Sequence, residues 1–271
     1  MRKIGLHLRL TQTLDLLAQK ASTLHLPFFQ CFFIHQVTQQ FISLSSSETN
    51  HFVTTWRDKF EHLFVHGSYW INLASIASRN KVIERELELA KKLQFTHIVV
   101  HPGSVKKMGD KHEGIKTIAK HINLLMKKEY DVKIVLENAA HAGFSIGGDL
   151  HDFLILREQL IHPEKILFCI DTAHAYVYGY DINTNNGQAE FLQLVDKTMG
   201  LANIALIHLN DTQQSCGSRI DKHEKVGSGI LAHSLPTFIN HEKLKHIPLI
   251  MELPILQDDE EISILDTVRR W

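Results

Sequence analysis

The chain has 271 residues, of which 44% are hydrophobic and 22% charged, a composition typical of a soluble globular protein with a sizeable core. These proportions exclude a disordered, collagen-like or coiled-coil chain, and no apolar run approaches the roughly 18 residues that a membrane helix needs. Lys and Arg number 29 against 30 Asp and Glu, and the formal net charge of −1 by itself argues against a strongly basic nucleic-acid-binding protein.

The N-terminal residues and the cysteines indicate an intracellular protein. The stretch Met1–His7 is polar where a signal peptide would carry its apolar segment, so we expect a cytoplasmic protein without a membrane partner. Cys31, Cys169 and Cys216 lie far apart and form no Cys-x-x-Cys pair, which predicts reduced thiols rather than a disulfide framework or a thiolate zinc site. Nothing in the sequence indicates an oligomer, and we expect a monomer.

Eight short apolar or β-branched runs predict the strands of a parallel sheet. Near-continuous hydrophobicity is typical of strands buried on both faces, and the runs start roughly 24 to 44 residues apart, which leaves room for crossover helices. Between them, stretches such as Lys81–Leu93 repeat apolar residues at helical spacing. In chain order the runs are Lys3–His7, Pro27–Phe33, His62–His66, His97–His101, Lys133–Glu137, Ile166–Asp171, Ile204–His208 and Pro248–Glu252.

Eight β/α units in a chain of this length predict the α/β class and a closed (β/α)₈ TIM barrel. A doubly wound open sheet is the structural alternative. No internal linker is visible, because the Ser-rich stretch 43–47 is only long enough for a loop. We therefore predict one domain spanning residues 1–271.

Histidine is unusually frequent, with 19 residues, and it is the commonest metal ligand at neutral pH. Six predicted strands end in His, Glu or Asp, and the C-terminal rim of a barrel is where active sites form. The pairs Asp171-Thr-Ala-His174 and Asp221-Lys-His223 have spacings that place both side chains on one side of the chain. Nitrogen and oxygen donors without a thiolate suit catalytic zinc, manganese or iron, and their number implies two or three ions. The nine candidates are His66, His101, Glu137, Asp171, His174, His208, Asp221, His223 and Glu252.

His7 ends a seventh strand, whereas most of the other histidines occur in polar or helical contexts. Surface positions are expected for His25, His35, His51, His121, His151, His162, His233, His241 and His246.

With these residues aligned, the sequence resembles endonuclease IV, the family of metal-dependent apurinic/apyrimidinic (AP) DNA endonucleases. The resemblance runs from Ile4-Gly5 to the final helix, and the two Asp/His motifs are its most specific part. The matching motifs are His101-Pro-Gly-Ser104, Leu136-Glu-Asn138, Cys169-Ile-Asp-Thr-Ala-His-Ala175, Gly179-Tyr-Asp181, His208-Leu-Asn-Asp211, Gly217-Ser-Arg-Ile-Asp-Lys-His223, Gly227-Ser-Gly229 and Glu252.

The resemblance implies base excision repair of double-stranded DNA. The expected reaction is hydrolysis of the phosphodiester 5′ to an abasic site, leaving a 3′-hydroxyl and a 5′-deoxyribose phosphate, with 3′-phosphodiesterase activity as a companion. It also implies three Zn²⁺ per chain, with Mn²⁺ as an alternative at one or more sites, and Glu137 as the catalytic bridging residue beside a metal-bound hydroxide. Glu137 would bridge one ion held by His66 and His101 to another held by Asp171, His208 and Glu252, and His174, Asp221 and His223 would hold the third.

Metals suit this chemistry because water is a poor nucleophile and a phosphodiester is anionic. A bound metal lowers the pKa of water from about 15.7 to about 7, which is worth roughly 12 kcal/mol at about 1.36 kcal/mol per unit. Three Zn²⁺ would also add +6 to the chain's −1 and give about +5 at the rim. Chelation is therefore expected to abolish cleavage and most DNA affinity.

Five residues beside the predicted ligands are candidates for DNA contact. The motif around Arg219 suits a phosphate contact. Tyr69 and Trp70 either wedge into the duplex at the lesion or pack on a neighbouring helix. Ser104 and Asn210 follow predicted ligands and either orient them or touch phosphate.

Two stretches depart from the family pattern. No Lys or Arg occurs between Lys20 and Arg57, so the loop after the second strand is expected to add less electrostatic DNA binding than in relatives. After the bridging glutamate the sequence reads Ala139-Ala-His-Ala-Gly143, and His141 is either an added donor near the metals or a lesion contact. Both departures bear on substrate range.

Two other functions compete with the nuclease. A metal-dependent sugar isomerase or epimerase of the same barrel superfamily would need one or two metals, so a metal count discriminates the two enzymes. A catalytically silent DNA-lesion binder is the non-enzymatic alternative, which the complete set of candidate ligands disfavours.

Overall fold

The structure is a computed structural model that describes residues 2–35, 37–38, 40–75, 80–105 and 109–271. Eight parallel strands each pair with the next in sequence, and the last pairs with the first, so the sheet closes into a barrel. The predicted (β/α)₈ barrel is confirmed, and the open doubly wound sheet is wrong. The strands are β1 (Ile4–His7), β2 (Phe28–Cys31), β3 (His62–His66), β4 (His97–Val100), β5 (Lys133–Glu137), β6 (Leu167–Asp171), β7 (Ile204–His208) and β8 (Leu249–Met251).

Helices follow the strands and cover the outside of the barrel. Polar N-caps start several of them, because the first backbone N–H groups of a helix need acceptors. Thr13 and Asp110 act this way, and Ser45 forms a capping box with Glu48. The helices are α1 (Leu14–Thr23), α2 (Ser46–Trp56), α3 (Asn80–Lys92), α4 (Lys111–Met126), α5 (His151–Gln159), α6 (Thr172–Tyr178), α7 (Asn185–Thr198), α8 (Leu235–Ile239) and α9 (Asp258–Arg269), with 3₁₀ turns at Arg57–Lys59, Pro163–Lys165 and Leu201–Asn203.

The barrel interior explains why polar residues gather at one rim. Side chains two residues apart on a strand share a face. Each inward-facing apolar residue is therefore followed, two positions later and nearer the C-terminal rim, by a second inward-facing residue. Phe28 on β2 would clash with a side chain on β1, and Gly5 leaves the space, since a Cβ there would lie 2.5 Å from the Phe28 ring. The interior apolar layer is Phe28, Phe64, Val99, Val135, Cys169, Leu206 and Ile250.

The surface positions expected for nine histidines hold except at one. His121 on α4 is only 8% exposed, and its Nδ1 lies 2.8 Å from the Leu73 carbonyl oxygen. The expectation was wrong because helical spacing did not separate an exposed histidine from a buried one with a hydrogen-bond partner. Cys31 and Cys169 are buried, Cys216 is exposed, and all three are free. Among the described residues, no helix is both long enough and apolar enough to cross a membrane.

Candidate metal centre

Strand ends bring six of the nine predicted ligands to one rim of the barrel. Glu137 lies at the centre, with Oε2 3.2 Å from His66 Nε2 and 3.6 Å from His101 Nε2. Its other oxygen, Oε1, lies 3.0 Å from His208 Nδ1, which is also 3.5 Å from Glu252 Oε2. These contacts and Asp171 at the end of β6 place five nitrogen- and oxygen-bearing groups around the Glu137 carboxylate.

The remaining three predicted ligands come from α6 and from the loop after β7. Asp171 is the N-cap of α6, and its side chain accepts from the His174 backbone N–H at 2.8 Å. This hydrogen bond sets where α6 begins and so positions His174. Asp221 Oδ1 lies 3.2 Å from His174 Nε2 and 3.4 Å from His223 Nε2. His223 Nε2 is in turn 3.7 Å from Asp171 Oδ2. The structure thus brings all nine predicted ligands together.

Two features of the arrangement fit bound cations. Within the described parts of the chain, the Nε2 atoms of His174 and His223 find no hydrogen-bond partner although they are buried, and buried polar atoms normally have one. Candidate ligand atoms also fall into groups within 4.8 Å of one another. The groups are His66 with His101 and Glu137, then Glu137 with Asp171, His208 and Glu252, and finally Asp171 with His174 and His223.

Outer hydrogen bonds fix which nitrogen of the histidines faces the site. A carbonyl oxygen can only accept, so the nitrogen beside it carries the proton. His66 Nδ1 donates to the Gly67 carbonyl at 2.9 Å, and His174 Nδ1 donates to the Asn138 carbonyl at 3.0 Å. Both rings therefore turn Nε2 toward the site, and this is the nitrogen that would bind a metal.

Gln30 is a functional residue that the sequence analysis missed. It is fully buried on β2, its Oε1 accepts from His208 Nε2 at 3.0 Å, and its Nε2 donates to Glu252 Oε1 at 2.8 Å. The same amide nitrogen lies 2.9 Å from His7 Nδ1. Because Nε2 of His208 is engaged by this glutamine, Nδ1 is the atom that faces the site. The available signal was one polar residue inside the apolar run 27–33.

Asn210 orients two of the predicted ligands. Its Nδ2 donates to Asp171 Oδ2 at 2.6 Å and to Glu252 Oε2 at 3.1 Å, and its Oδ1 accepts from the Glu252 backbone N–H at 2.9 Å. The residue is 1% exposed. Of the two roles predicted for it, orientation fits these contacts better, because the amide is buried and already bonded, and the phosphate contact stays a prediction.

A buried carboxylate fastens the loop 212–231, which carries Asp221 and His223. Asp211 is fully buried and accepts backbone N–H bonds from Gly227 at 3.1 Å, Gly229 at 2.9 Å and Leu231 at 3.0 Å. A Cβ at position 229 would lie 2.2 Å from Asp211 Oδ1, so only glycine lets the backbone approach. This contact explains the Gly-Ser-Gly motif downstream of the two ligands.

The candidate DNA-contacting aromatic and serine side chains lie at the same rim. Tyr69 is 80% exposed, and its ring lies 5.3 Å from that of Phe32. Trp70 is 46% exposed and lies 6.2 Å from the Phe41 ring. Ser104 is also exposed. Insertion of the two aromatic rings into the duplex and packing on a neighbouring helix are both compatible with these positions. The roles of Tyr69, Trp70 and Ser104 therefore stay predictions.

Arg219 is held over an aromatic ring with part of its guanidinium unpaired. The guanidinium carbon lies 3.7 Å from the centre of the Tyr178 ring, and Nη1 is buried with no hydrogen-bond partner in the part of the chain that the structure describes. The backbone at this residue is left-handed, with φ 63°. His141 Nδ1 donates to the Arg219 carbonyl at 2.9 Å, so this histidine bonds the loop backbone, and its two predicted roles, an added donor near the metals or a lesion contact, stay predictions.

Charges in the site favour the ionised forms of Glu137 and Asp221. Burial acts to raise the pKa of Glu137, but the imidazoles of His101 and His208 outweigh it and hold that pKa well below its ordinary value. Burial acts the same way on Asp221, yet His174 and His223 lower its pKa to about 2. Burial lowers the pKa of His101 to about 4, so its ring is neutral at pH 7. Burial acts to lower the pKa of His174, but Asp171 and Asp221 outweigh it and raise that pKa well above its ordinary value. Because metals bind ionised carboxylates and neutral imidazoles, His174 would release a proton on binding a metal.

Comparisons with known proteins agree with this architecture. Residues 33–268 match the sequence model of the family described as Xylose isomerase-like TIM barrel. The probable endonuclease 4 of Thermosipho melanesiensis is 36% identical over 202 residues, 72% of this chain and 70% of that protein. That of Thermotoga maritima is 29% identical over 267 residues, 94% of this chain and 91% of that protein. The crystal structure of endonuclease IV from Thermus thermophilus superimposes with a TM-score of 0.84 at 26% identity, covering 99% of this chain and 98% of that one.

Proposed function

This chain belongs to the endonuclease IV family of Xylose isomerase-like TIM barrels, and from that membership we propose that it hydrolyses the phosphodiester 5′ to abasic sites in double-stranded DNA. The products are a 3′-hydroxyl and a 5′-deoxyribose phosphate, and removal of blocked 3′ ends belongs to the same proposal. The enzyme acts in base excision repair, as an intracellular monomer of one domain. The observation that carries the proposal is the convergence of the nine predicted ligands, eight of them in overlapping groups of candidate ligand atoms and Asp221 beside His174 and His223. Two of the buried imidazole nitrogens have no hydrogen-bond partner among the described residues.

We propose three zinc ions per chain, with Mn²⁺ as the alternative. When bound, the ions supply Lewis acidity that activates a water nucleophile and stabilises charge developing on the phosphate and leaving oxygen. The donor set supports this, because imidazoles and carboxylates without thiolates suit catalytic zinc. His66, His101 and Glu137 hold one ion, Glu137, Asp171, His208 and Glu252 hold the second, and His174, Asp221 and His223 hold the third, with Asp171 beside them.

Glu137 couples the first two groups through its two oxygens. One oxygen faces His66 and His101, and the other faces His208. Because its pKa is held well below the ordinary value, the carboxylate carries no proton at neutral pH and can bridge two cations. Asn210 keeps the neighbouring carboxylates turned toward the same centre.

The exposed side of the centre defines where a substrate phosphate approaches. Glu137, Asp171 and His208 have fully buried side chains, whereas the side chains of His101 and Asp221 are 32% and 38% exposed. The site opens into a cavity of about 230 Å³. A phosphodiester therefore reaches the first and third groups from solvent, with the buried second group beneath them.

Outside the metal centre, Arg219 is proposed to bind a DNA phosphate. Its Nη1 has no hydrogen-bond partner in the described structure, and a guanidinium donor suits a phosphate oxygen. Tyr69 and Trp70 are proposed to stack on bases at the lesion, since both present exposed rings at the rim. Ser104 is proposed to contact the same backbone.

Incision of a defined lesion tests the proposal. A duplex with one tetrahydrofuran abasic analogue is incubated with the zinc-loaded protein, with and without EDTA, and the products are resolved on a denaturing gel. We expect one cut 5′ to the analogue, a 3′ end that a polymerase extends, and no cut with EDTA. An uncut duplex contradicts the proposal, and a lyase would also leave this analogue uncut because it has no aldehyde.

A metal count separates the nuclease from the sugar isomerase or epimerase alternative. Three zinc ions per chain by inductively coupled plasma mass spectrometry fit the nuclease, whereas one or two fit the isomerase. The D-tagatose 3-epimerase-like protein, at 18% identity and a TM-score of 0.76, shares the fold, and its likeness carries no argument about activity.

A further inference from the structure

Arg9 is a positively charged residue at the rim to which the proposed function gives no role. It follows β1 and lines the cavity of about 230 Å³ over the candidate metal centre, together with Tyr69, His101 and Asp221. Of the described residues that line this cavity, Arg9 is the single arginine or lysine. A phosphodiester entering the cavity would therefore meet this guanidinium first among the basic side chains.

The guanidinium of Arg9 is available to an anion. The residue is exposed, and its Nη2 makes a long contact of 3.5 Å with the Leu253 carbonyl oxygen. Within the described ranges no carboxylate pairs with it, whereas nearby Lys20 pairs with Asp258 and Glu261. Its charge is thus not neutralised by a neighbouring side chain.

The position of Arg9 also matches the loop that lacks basic residues. β1 pairs directly with β2, and the Leu8 backbone N–H donates to the Gln30 carbonyl at 2.7 Å. Arg9 therefore stands beside the start of the connection that has no Lys or Arg between Lys20 and Arg57. The loop after β2 has no lysine or arginine, but Arg9 supplies a positively charged side chain after β1, the neighbouring strand.

A second cavity indicates where the bound backbone continues. It has a volume of about 410 Å³ and shares His7, Arg9 and Leu253 with the first, so the guanidinium lies at their common edge. The second cavity runs outward along polar residues Thr11–Thr13 toward Lys20. A group at this edge is placed for a phosphate next to the one being hydrolysed.

Building on the proposed function, we infer that Arg9 binds a DNA backbone phosphate that flanks the scissile phosphodiester. Its role is electrostatic and positional, so it acts on duplex affinity and leaves the reacting bond to the metal centre. It partly replaces the contacts that the loop after β2 cannot make.

The inference is tested with R9A, R9K and a control variant, K120A, which removes one exposed positive charge from α4. On the tetrahydrofuran duplex, R9A is expected to raise KM about tenfold, leave kcat within about twofold and lower the slope of log affinity against log salt by about 1. R9K should recover part of the affinity, and K120A should match the parent. Hydrolysis of bis(p-nitrophenyl) phosphate, which has no flanking phosphate, should be unchanged in R9A.

Different outcomes overturn different statements. If the parent protein cuts the duplex and R9A has the same KM and salt slope, the inference about Arg9 fails alone. Slower hydrolysis of the small diester by R9A also overturns it, because Arg9 would then act on the reacting phosphate or the metals. If the zinc-loaded parent does not cut the duplex, the proposed function fails and takes this inference with it.

Discussion

The candidate ligands at strand ends and those on the loop after β7 are held by different means. Glu137 and Asp171 are fully buried, and barrel pairing sets their positions, with Asp171 opposite His208 in register. Asp221 and His223 belong to a loop, and their side chains are 38% and 18% exposed. The comparison teaches that the sheet itself orders the first two groups, whereas the two loop ligands of the third depend on the hydrogen bonds of one buried carboxylate, Asp211.

The largest effect is expected at the strand-borne centre. Glu137→Gln removes the negative charge between two groups of imidazoles, so it should lower incision about 10³-fold or more and reduce zinc content. Incision of the tetrahydrofuran duplex and metal analysis measure both. Glu88→Gln, at an exposed position of α3, is the matched control and should behave like the parent. A variant E137Q with full zinc content and near-parent incision would contradict the bridging role.

A second substitution should break the loop-borne group alone. Asp211→Ala leaves four backbone N–H groups, at Thr212, Gly227, Gly229 and Leu231, without their acceptor, which should cost on the order of 3 kcal/mol of folding free energy and free the loop 212–231. We expect zinc content to fall from three to two per chain and incision to fall about 10²-fold. Metal analysis and limited proteolysis measure the change. Retention of three ions and of protease resistance would show that the loop does not need this anchor.

A smaller effect is expected from the outer partner of His208. Gln30→Met keeps a similar volume and removes the hydrogen bonds to His208 and Glu252, so zinc affinity or incision should fall about 10- to 100-fold. Competition with a zinc chelator measures the affinity. Because the substitution conserves volume, an unchanged melting temperature of the zinc-free protein would assign the loss to orientation. Unchanged chelator competition would reject the role given to this glutamine.

The smallest effect on activity, with a clear effect on stability, is expected at the loop after β3. Glu86 on α3 is fully buried and accepts from the Ser68 backbone N–H at 3.1 and 3.3 Å, so this loop too rests on a buried carboxylate. Burial raises the pKa of Glu86 to about 7, only partly opposed by these hydrogen bonds. The folded state therefore holds its proton more tightly than the unfolded state.

The sign of the pH dependence follows from that difference. The contribution of Glu86 to stability is fully present below pH 4.5 and is lost as the pH rises to about 7, by roughly 3 kcal/mol at about 1.36 kcal/mol per unit. The variant E86Q cannot ionise at this position. Its free energy of unfolding should therefore rise relative to that of the parent between pH 4.5 and 7, and the difference should stay constant at higher pH. Urea unfolding across this range measures the gap, and a constant gap would refute the shifted pKa. Incision should change less than about twofold.

The strand ends could be predicted because one pattern, an apolar run that closes with His, Glu or Asp, recurs along the sequence. An apolar run that closes with His66, Glu137 or His208 marks both the strand and the side that faces the site. Gln30 and Asp211 were not assigned roles, because their partners are set by closure of the barrel. The contact from Gln30 to His208 spans 178 residues, and no local spacing encodes it. Asn210 was predicted as an orienting or DNA-contacting residue, and its burial, which favours orientation, could not be read from the sequence.

Two of the three tryptophans in the chain report on the two regions compared above. Trp70 stands beside Tyr69 at the mouth of the site, while the indole of Trp271 packs beside Gly227 of the anchored loop. Intrinsic fluorescence therefore offers one emitter for each region without any label. Spectra of W70F and W271F would separate quenching caused by an arriving duplex from a change in loop order as zinc is added.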